Sequence, residues 1–138
     1  MSVRQLRVVV TTDDYDDALR FYRDVLGLPE LGAFSGEHGH VSILDAGRAT
    51  LELSDPAHAD YIDEVEVGAR VAGHIRIAFE IEHADETTRR LADAGATVLA
   101  EPIPTPWGSR NSRLEAPGGL QLTLFEGPAE GFPERTTA

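Results

Sequence analysis

The chain contains no cysteine and no lysine: all 12 basic residues among its 138 are arginine. Without cysteine, disulfides, thiolate nucleophiles and cysteine-held zinc or iron–sulfur centres are excluded. Without lysine, a Schiff base to a carbonyl substrate and a phosphate-loop lysine are excluded as well. Positive charge is scarce, with 12 arginines against 24 acids and a formal net charge of −12 at pH 7. Nucleic acid is therefore not an expected partner, because binding phosphates needs clustered cations, and an anionic membrane surface is disfavoured for the same reason. No secretory signal or membrane-length apolar run is visible, so the expectation is a cytoplasmic protein without a membrane span. The acidity reads first as solubility charge spread over the surface, although it could also draw a cationic ligand.

What is present is organised by repetition. Leu6 to Thr12 is a β-branched run that reads as a strand, and Asp14 to Leu28 follows it with helical spacing. Tyr15, Ala18, Leu19, Tyr22, Val25 and Leu26 make one apolar stripe, capped by Asp13 or Asp14 and stopped by Gly27 and Pro29. Sixty-nine positions on, the pattern returns: Arg76 to Ile81 is a strand, and Ala84, Thr87, Thr88, Leu91 and Ala94 line a helix face before Gly95. Asp14 matches His83 and Tyr22 matches Leu91 without a gap, so the chain reads as a duplicated module.

Each copy continues with strand signals. Glu30–Ser35, His38–Asp45 and Ala49–Ser54 complete the first; Thr97–Ala100, Ser109–Glu115 and Leu120–Phe125 complete the second, with a proline-rich bend from Glu101 to Pro106 before Trp107. The expected organisation is a first βαβββ module over residues 1–55, a connector over 56–73, a second module over 74–127 and a flexible tail over 128–138, with the modules packing as one domain. The connector has room for a short helix or strand, and its acids Asp60, Asp63, Glu64 and Glu66 read as a solvated face.

Strand periodicity of two assigns faces. Ile75, Ile77, Phe79 and Ile81 oppose His74, Arg76, Ala78 and Glu80; Leu6, Val8 and Val10 oppose Arg7, Val9 and Thr11. Leu51 and Leu53 oppose Thr50, Glu52 and Ser54, and Leu120, Leu122 and Leu124 oppose Gln121, Thr123 and Phe125. Each half thus has one apolar and one mixed face. Alternation alone leaves open whether the mixed face meets solvent or lines a cavity.

The stretch ending Phe21-Tyr22-Arg23-Asp24-Val25-Leu26-Gly27-Leu28 resembles a signature of the vicinal oxygen chelate superfamily, also called the glyoxalase, bleomycin-resistance and extradiol-dioxygenase superfamily. Thr105-Pro106-Trp107-Gly108, followed by Ala116-Pro117-Gly118-Gly119 and the last strand, resembles its closing motif. The resemblance covers about residues 4 to 127. It implies an α+β fold in which two tandem βαβββ modules form a curled mixed sheet around a shared cleft, often completed by dimerisation. It also implies metal ligands on the first and last strand of each module, at positions occupied here by Arg7, Glu52, Arg76 and Thr123. A guanidinium offers no lone pair, so the usual metal site is not expected.

The chain is similar to the metal-free, ligand-sequestering branch, which implies no cofactor, a homodimer, and a small-molecule ligand such as an antibiotic or other planar natural product. The ligand-binding candidates are Arg7, Glu52, Arg76, Trp107, Phe125, Thr123, His74 and Asn111, with Phe34 and Tyr61 as further flat surfaces; no catalytic residue is assigned. Trp107 could equally be a plug under the proline-rich loop. Arg7, Glu52 and Arg76 admit three readings: a structural ion-pair cluster, a grip on a ligand anion, or a catalytic group.

The rival expectation is a metal-dependent lyase or dioxygenase with a relocated Fe(II) or Zn(II) site built from His38, His40 and Glu52, the two histidines sharing a strand face. A partner or regulator using the fold as an interaction module is a third class. His58 and His83 read as surface. No nucleophile elbow, glycine-rich phosphate loop or HExxH motif is present.

Overall fold

The structure, a computed structural model, describes residues 3–117 and 119–127. The β-branched and aliphatic runs form β1 (Gln5–Thr11), β2 (Glu30–Gly36), β3 (Gly39–Asp45) and β4 (Thr50–Ser54), then β5 (Ile75–Ile81), β6 (Thr97–Pro104), β7 (Arg110–Glu115) and β8 (Gln121–Glu126). The helices are α1 (Tyr15–Leu19), running on as a π-helix over Arg20–Val25, α2 (Pro56–Glu66) and α3 (Ala84–Asp93). The tail over 128–138 and Gly118 of the expected turn lie outside the described residues.

All strands join one eight-stranded sheet in the order β2-β3-β4-β1-β5-β8-β7-β6. The order is symmetric about an antiparallel seam between β1 and β5. On either side the first strand of a module pairs parallel with its last, β1 with β4 and β5 with β8, and antiparallel strands continue outward. This is the expected α+β architecture of two βαβββ units in a single curled mixed sheet. The duplication extends to the helix starts, since Asp14 and His83 occupy the N-cap positions of α1 and α3, neither with a side-chain capping bond.

The apolar parity is buried where a helix covers it and not throughout: Ile75 and Leu120 are 45 and 42 % exposed, while Val9, Arg76 and Ala78 of the opposite parity are buried. Ile81, Ala84, Leu114 and Leu124 form a buried cluster with Phe79, Leu91, Ala96 and Val98 against it, between α3 and the second half of the sheet. Leu44 and Leu53 are fully buried in the first half. Burial of such side chains stabilises by about 1.5–3 kcal/mol each.

Three elements depart from expectation. The first helix widens after Leu19, and the amide of Leu26 donates to the carbonyl of Phe21, five residues back, at 2.9 Å. Of the expected stripe, Val25 and Leu26 are 65 and 61 % exposed, and the neighbouring Phe21 is 54 % exposed. The strand expected to end at Ala100 runs on through Pro102 to Pro104. As the edge of the sheet, β6 can carry prolines without losing a ladder donor, and its register shifts on either side of Ala100.

The third departure is the connector: it forms a helix, which the spacing allowed, but it packs on the mixed face of the sheet with Asp63 and Glu66 buried and not on a solvated face. Asp55 caps α2, its Oδ1 accepting from the His58 amide at 2.9 Å, and Pro56 occupies the first turn, where a missing N–H costs nothing.

Candidate functional site

The mixed face of the sheet is brought together by register. Val9 pairs with both Glu52 and Arg76, and Ala78 pairs with both Arg7 and Thr123. These residues, with Phe125 and with Asn111 of β7, form the floor of a cavity of about 400 Å³. The β2–β3 hairpin supplies one wall through Phe34 and His38, and α2 supplies another through His58, Tyr61, Ile62 and Glu66. The turn after β6 brings Trp107 to the cavity; it is held by the Gly108 amide on the Thr105 carbonyl at 3.1 Å and by Thr105 Oγ1 donating to the Ser109 carbonyl at 3.0 Å.

Aromatic rings gather on this side. His38 stacks on Tyr61 with centroids 3.9 Å apart, and Tyr61 lies 6.2 Å from Trp107. On the floor, the Arg7 guanidinium sits 4.6 Å above the Phe125 ring. The side of the cavity closed by α2 depends on Gly39, whose φ of +83° and lack of a Cβ let the helix cap approach the strand; a methyl there would run into the Asp55 carboxylate and the His58 amide.

Beneath the cavity lies a charge network that connects α2 to the sheet. Arg113 of β7 is completely buried. Its Nη1 donates to Asp63 Oδ1 at 2.8 Å, its Nη2 to Glu66 Oε1 at 3.1 Å and its Nε to Thr123 Oγ1 at 3.2 Å. The other oxygen of Asp63 accepts from the amides of Val71 and Ala72, both at 2.8 Å, and from Arg70 Nη1 at 3.1 Å. Glu66 also accepts from Asn111 Nδ2 at 3.0 Å and from Thr123 Oγ1 at 3.1 Å. Asp63 and Glu66 are therefore not part of a solvated face; their neighbours Asp60 and Glu64 are exposed, as expected of the outer side of the helix.

Arg7 reaches Glu52 only at 3.9 Å and donates from Nε to Gln5 at 3.0 Å. The Arg76 side chain, 8 % exposed, donates from Nη1 to Thr123 Oγ1 at 2.8 Å, and among the described residues no carboxylate stands within ion-pair distance of it. Burial pushes its guanidinium below the ordinary value, with Glu66, Glu52 and Asp63 acting against that from a distance and Arg113 adding to it. Burial alone would raise the Asp63 carboxyl, but the amides of Ala72 and Val71 and the Arg113 guanidinium outweigh it, so that group lies below the usual carboxylate range.

His58, read from sequence as surface, is a cavity wall residue. Its Nδ1 donates to the His38 carbonyl at 3.2 Å, which leaves Nε2 with the lone pair in the neutral ring. Burial holds its pKa below the ordinary histidine value against the opposing pull of Glu52. Of the other sequence candidates, Arg7, Glu52, Arg76, Trp107, Phe125, Thr123 and Asn111 all border the cavity, whereas His74 precedes β5, is exposed, and stands outside the lining.

Residues 4–124 match the glyoxalase/bleomycin resistance protein/dioxygenase superfamily. The chain belongs to that superfamily. Among curated proteins it is similar to the anthracycline biosynthesis protein DauV of Streptomyces sp. (strain C5), at 31 % identity over 119 residues. That match covers 86 % of this chain and 40 % of DauV, so the chain spans less than half the length of this relative. Among solved structures, a hypothetical protein from Bacillus halodurans C-125 superposes with a TM-score of 0.70 at 18 % identity, over 96 % of this chain and 100 % of that one. A Streptomyces coelicolor methylmalonyl-CoA epimerase superposes at 0.65 with 23 % identity, over 96 % of this chain and all 100 % of that one. These two likenesses establish the shared fold.

Arg7, Glu52, Arg76 and Thr123, the positions at which the resemblance to the superfamily implies metal ligands, all border the cavity. Two guanidiniums and a hydroxyl that already bonds Glu66 leave one carboxylate as a good donor, and that set does not fit a resident metal. The relocated set does not converge either. His38 belongs to the two-residue turn between β2 and β3, where strand alternation no longer holds, and it stacks on Tyr61. His40 is in β3, stacked on Tyr15 at 5.4 Å and bonded to Ser35 Oγ at 2.8 Å, away from the cavity lining. Among the described residues no cluster of three or more His, Asp and Glu side chains is disposed to hold a metal ion.

Proposed function

We propose that this chain binds a planar small molecule in the cavity and sequesters or carries it without metal chemistry. The observation that carries this reading is the cavity itself: about 400 Å³, open, and bordered by Tyr61, His38, Trp107 and Phe34, with Arg7 and Arg76, which cannot ligate a metal, on its floor. Flat rings beside an open cleft suit a flat ligand, which can stack on them at small conformational cost. The likeness to a protein named for anthracycline biosynthesis supports a polycyclic natural product, such as an antibiotic or its precursor, as the class.

The same reading includes a homodimer and residence in the cytoplasm. The exposed apolar residues Phe21, Val25 and Leu26 support the dimer. Among the described residues no helix is long and apolar enough to cross a membrane.

Trp107 is the chain's single tryptophan and borders the cavity, so it reports occupancy. Titration with planar polycyclic compounds is expected to quench its emission saturably at one site per chain, with the compound recovered unchanged. Turnover of the compound, or a stoichiometric metal in protein purified without chelator that raises Tm, would move the assignment to the lyase and dioxygenase side of the superfamily.

A further inference from the structure

Four arginines and four carboxylates meet around α2, but they are not evenly matched. Asp63 is bonded to Arg113 and Arg70, Glu66 to Arg113, Asp60 to Arg70, and Glu52 stands beside Arg7. Glu66 already accepts three hydrogen bonds, from Asn111, Thr123 and Arg113. Arg76 is the guanidinium left over. It lies at the cavity floor, more than nine-tenths buried, with one hydrogen bond to a neutral hydroxyl and no carboxylate within ion-pair distance among the described residues. A guanidinium has five N–H donors, and taking that charge out of water without a counter-ion is costly.

We propose that the cavity's ligand carries an acidic oxygen, as a phenol, enol or carboxyl group, and binds as the anion on Arg76. This rests on the reading of the cavity as a planar-ligand site and names the chemical class. The guanidinium is a fixed positive centre at the cavity floor that can take a ligand oxygen through paired N–H donors. The other groups around the cavity are consistent with it. His58 is held neutral at pH 7 by burial and adds no competing cation, and Arg113 is already paired with Asp63 and Glu66 and makes four hydrogen bonds. The carboxylates facing the site are Glu52, against Arg7, Glu66, against Arg113, and Glu37 at the hairpin rim beside His38. A ligand acid in its neutral form would leave Arg76 without a counter-ion, so binding favours its ionisation.

The test uses alizarin, a dihydroxyanthraquinone whose colour changes on ionisation, with EDTA present so that no metal complex contributes. Trp107 quenching reads binding, and the visible band of the bound dye, followed against pH, reads its charge. The bound dye is expected to ionise about one pH unit or more below the free dye, the size of shift an adjacent opposite charge produces. Arg76→Met is expected to abolish that shift, and Arg76→Lys, which keeps a buried cation but loses the fork of donors, to reduce it. Quenching with an unshifted or upward-shifted ionisation overturns the anion site and leaves the planar-ligand reading standing. A shift that survives in Arg76→Met also overturns it, because the cation would then be another residue. Absence of quenching by alizarin and by neutral anthraquinones alike removes both.

Discussion

Asp63 on the connector helix and Arg113 in the middle of β7, fifty positions apart in sequence, form an ion pair at 2.8 Å with side-chain exposures of 1 and 0 %. The pair joins α2 to the sheet. A buried charge pair contributes little by comparison with a well-packed apolar pair, yet breaking it is expensive because the surviving charge stays buried.

Arg113→Met therefore leaves buried Glu66 without an ion-pair partner and takes one of two from Asp63, and is expected to lower stability by on the order of 3–5 kcal/mol. Urea unfolding followed by circular dichroism measures it. A loss below about 1 kcal/mol, the scale of an exposed ion pair, would mean that the network is open to water.

The depressed Asp63 carboxyl fixes an acid dependence. Its folded pKa lies below the unfolded value of about 3.9, so its contribution is fully present above that pH and is lost as pH falls through the folded pKa. Urea midpoints measured across the acid range should fall more steeply in the native protein than in Asp63→Asn, which cannot titrate there. Parallel acid limbs would sink the assignment.

His58 should titrate below the ordinary histidine value of about 6.5, because burial disfavours its charged form. A neutral group of this kind stabilises above the unfolded pKa and ceases to as pH falls through the folded one. Its ring resonances in an NMR titration give the midpoint. A midpoint at or above the ordinary value would place His58 in solvent or next to an unshielded carboxylate.

Two glycines of one hairpin should respond differently. At Gly39 an added methyl meets Asp55 and the His58 amide, and the backbone is left-handed at φ +83°; Gly36 has no atom near the corresponding position. Gly39→Ala is expected to cost at least about 1–2 kcal/mol from the backbone alone and to weaken ligand quenching by displacing α2. Gly36→Ala should stay within about 0.5 kcal/mol of the native protein. Thermal melts of both variants decide it.

If the homodimer uses the exposed side of the first helix, Val25→Arg should give monomers in sedimentation at micromolar concentration while leaving Tm of the monomeric fold little changed, since Val25 is 65 % exposed. An unaltered sedimentation coefficient would put any dimer contact elsewhere.

Much of the fold was legible in the chain. The return of Arg7 at Arg76 and of Asp14 at His83 marked two copies, and alternation placed Arg7, Glu52, Arg76 and Thr123 on one face, where they now share a cavity floor. The spacing also carried a signal for Arg113. It falls in register with Asn111 and Ser109 on the mixed parity of β7, next to the fully buried Leu114.

The sequence by itself determined the strands and which side chains share a face, because those depend on local spacing. Only the tertiary structure decided which charges are neutralised. Asp63 and Glu66 have the polar spacing of a solvated helix face, and nothing local distinguishes them from Asp60 and Glu64. They are buried because β7 presents Arg113 opposite them, and Arg76 is left without a carboxylate because those acids are taken. The partner of a buried charge comes from wherever the chain folds back, so its identity is a property of the assembled sheet and helix and not of either stretch alone.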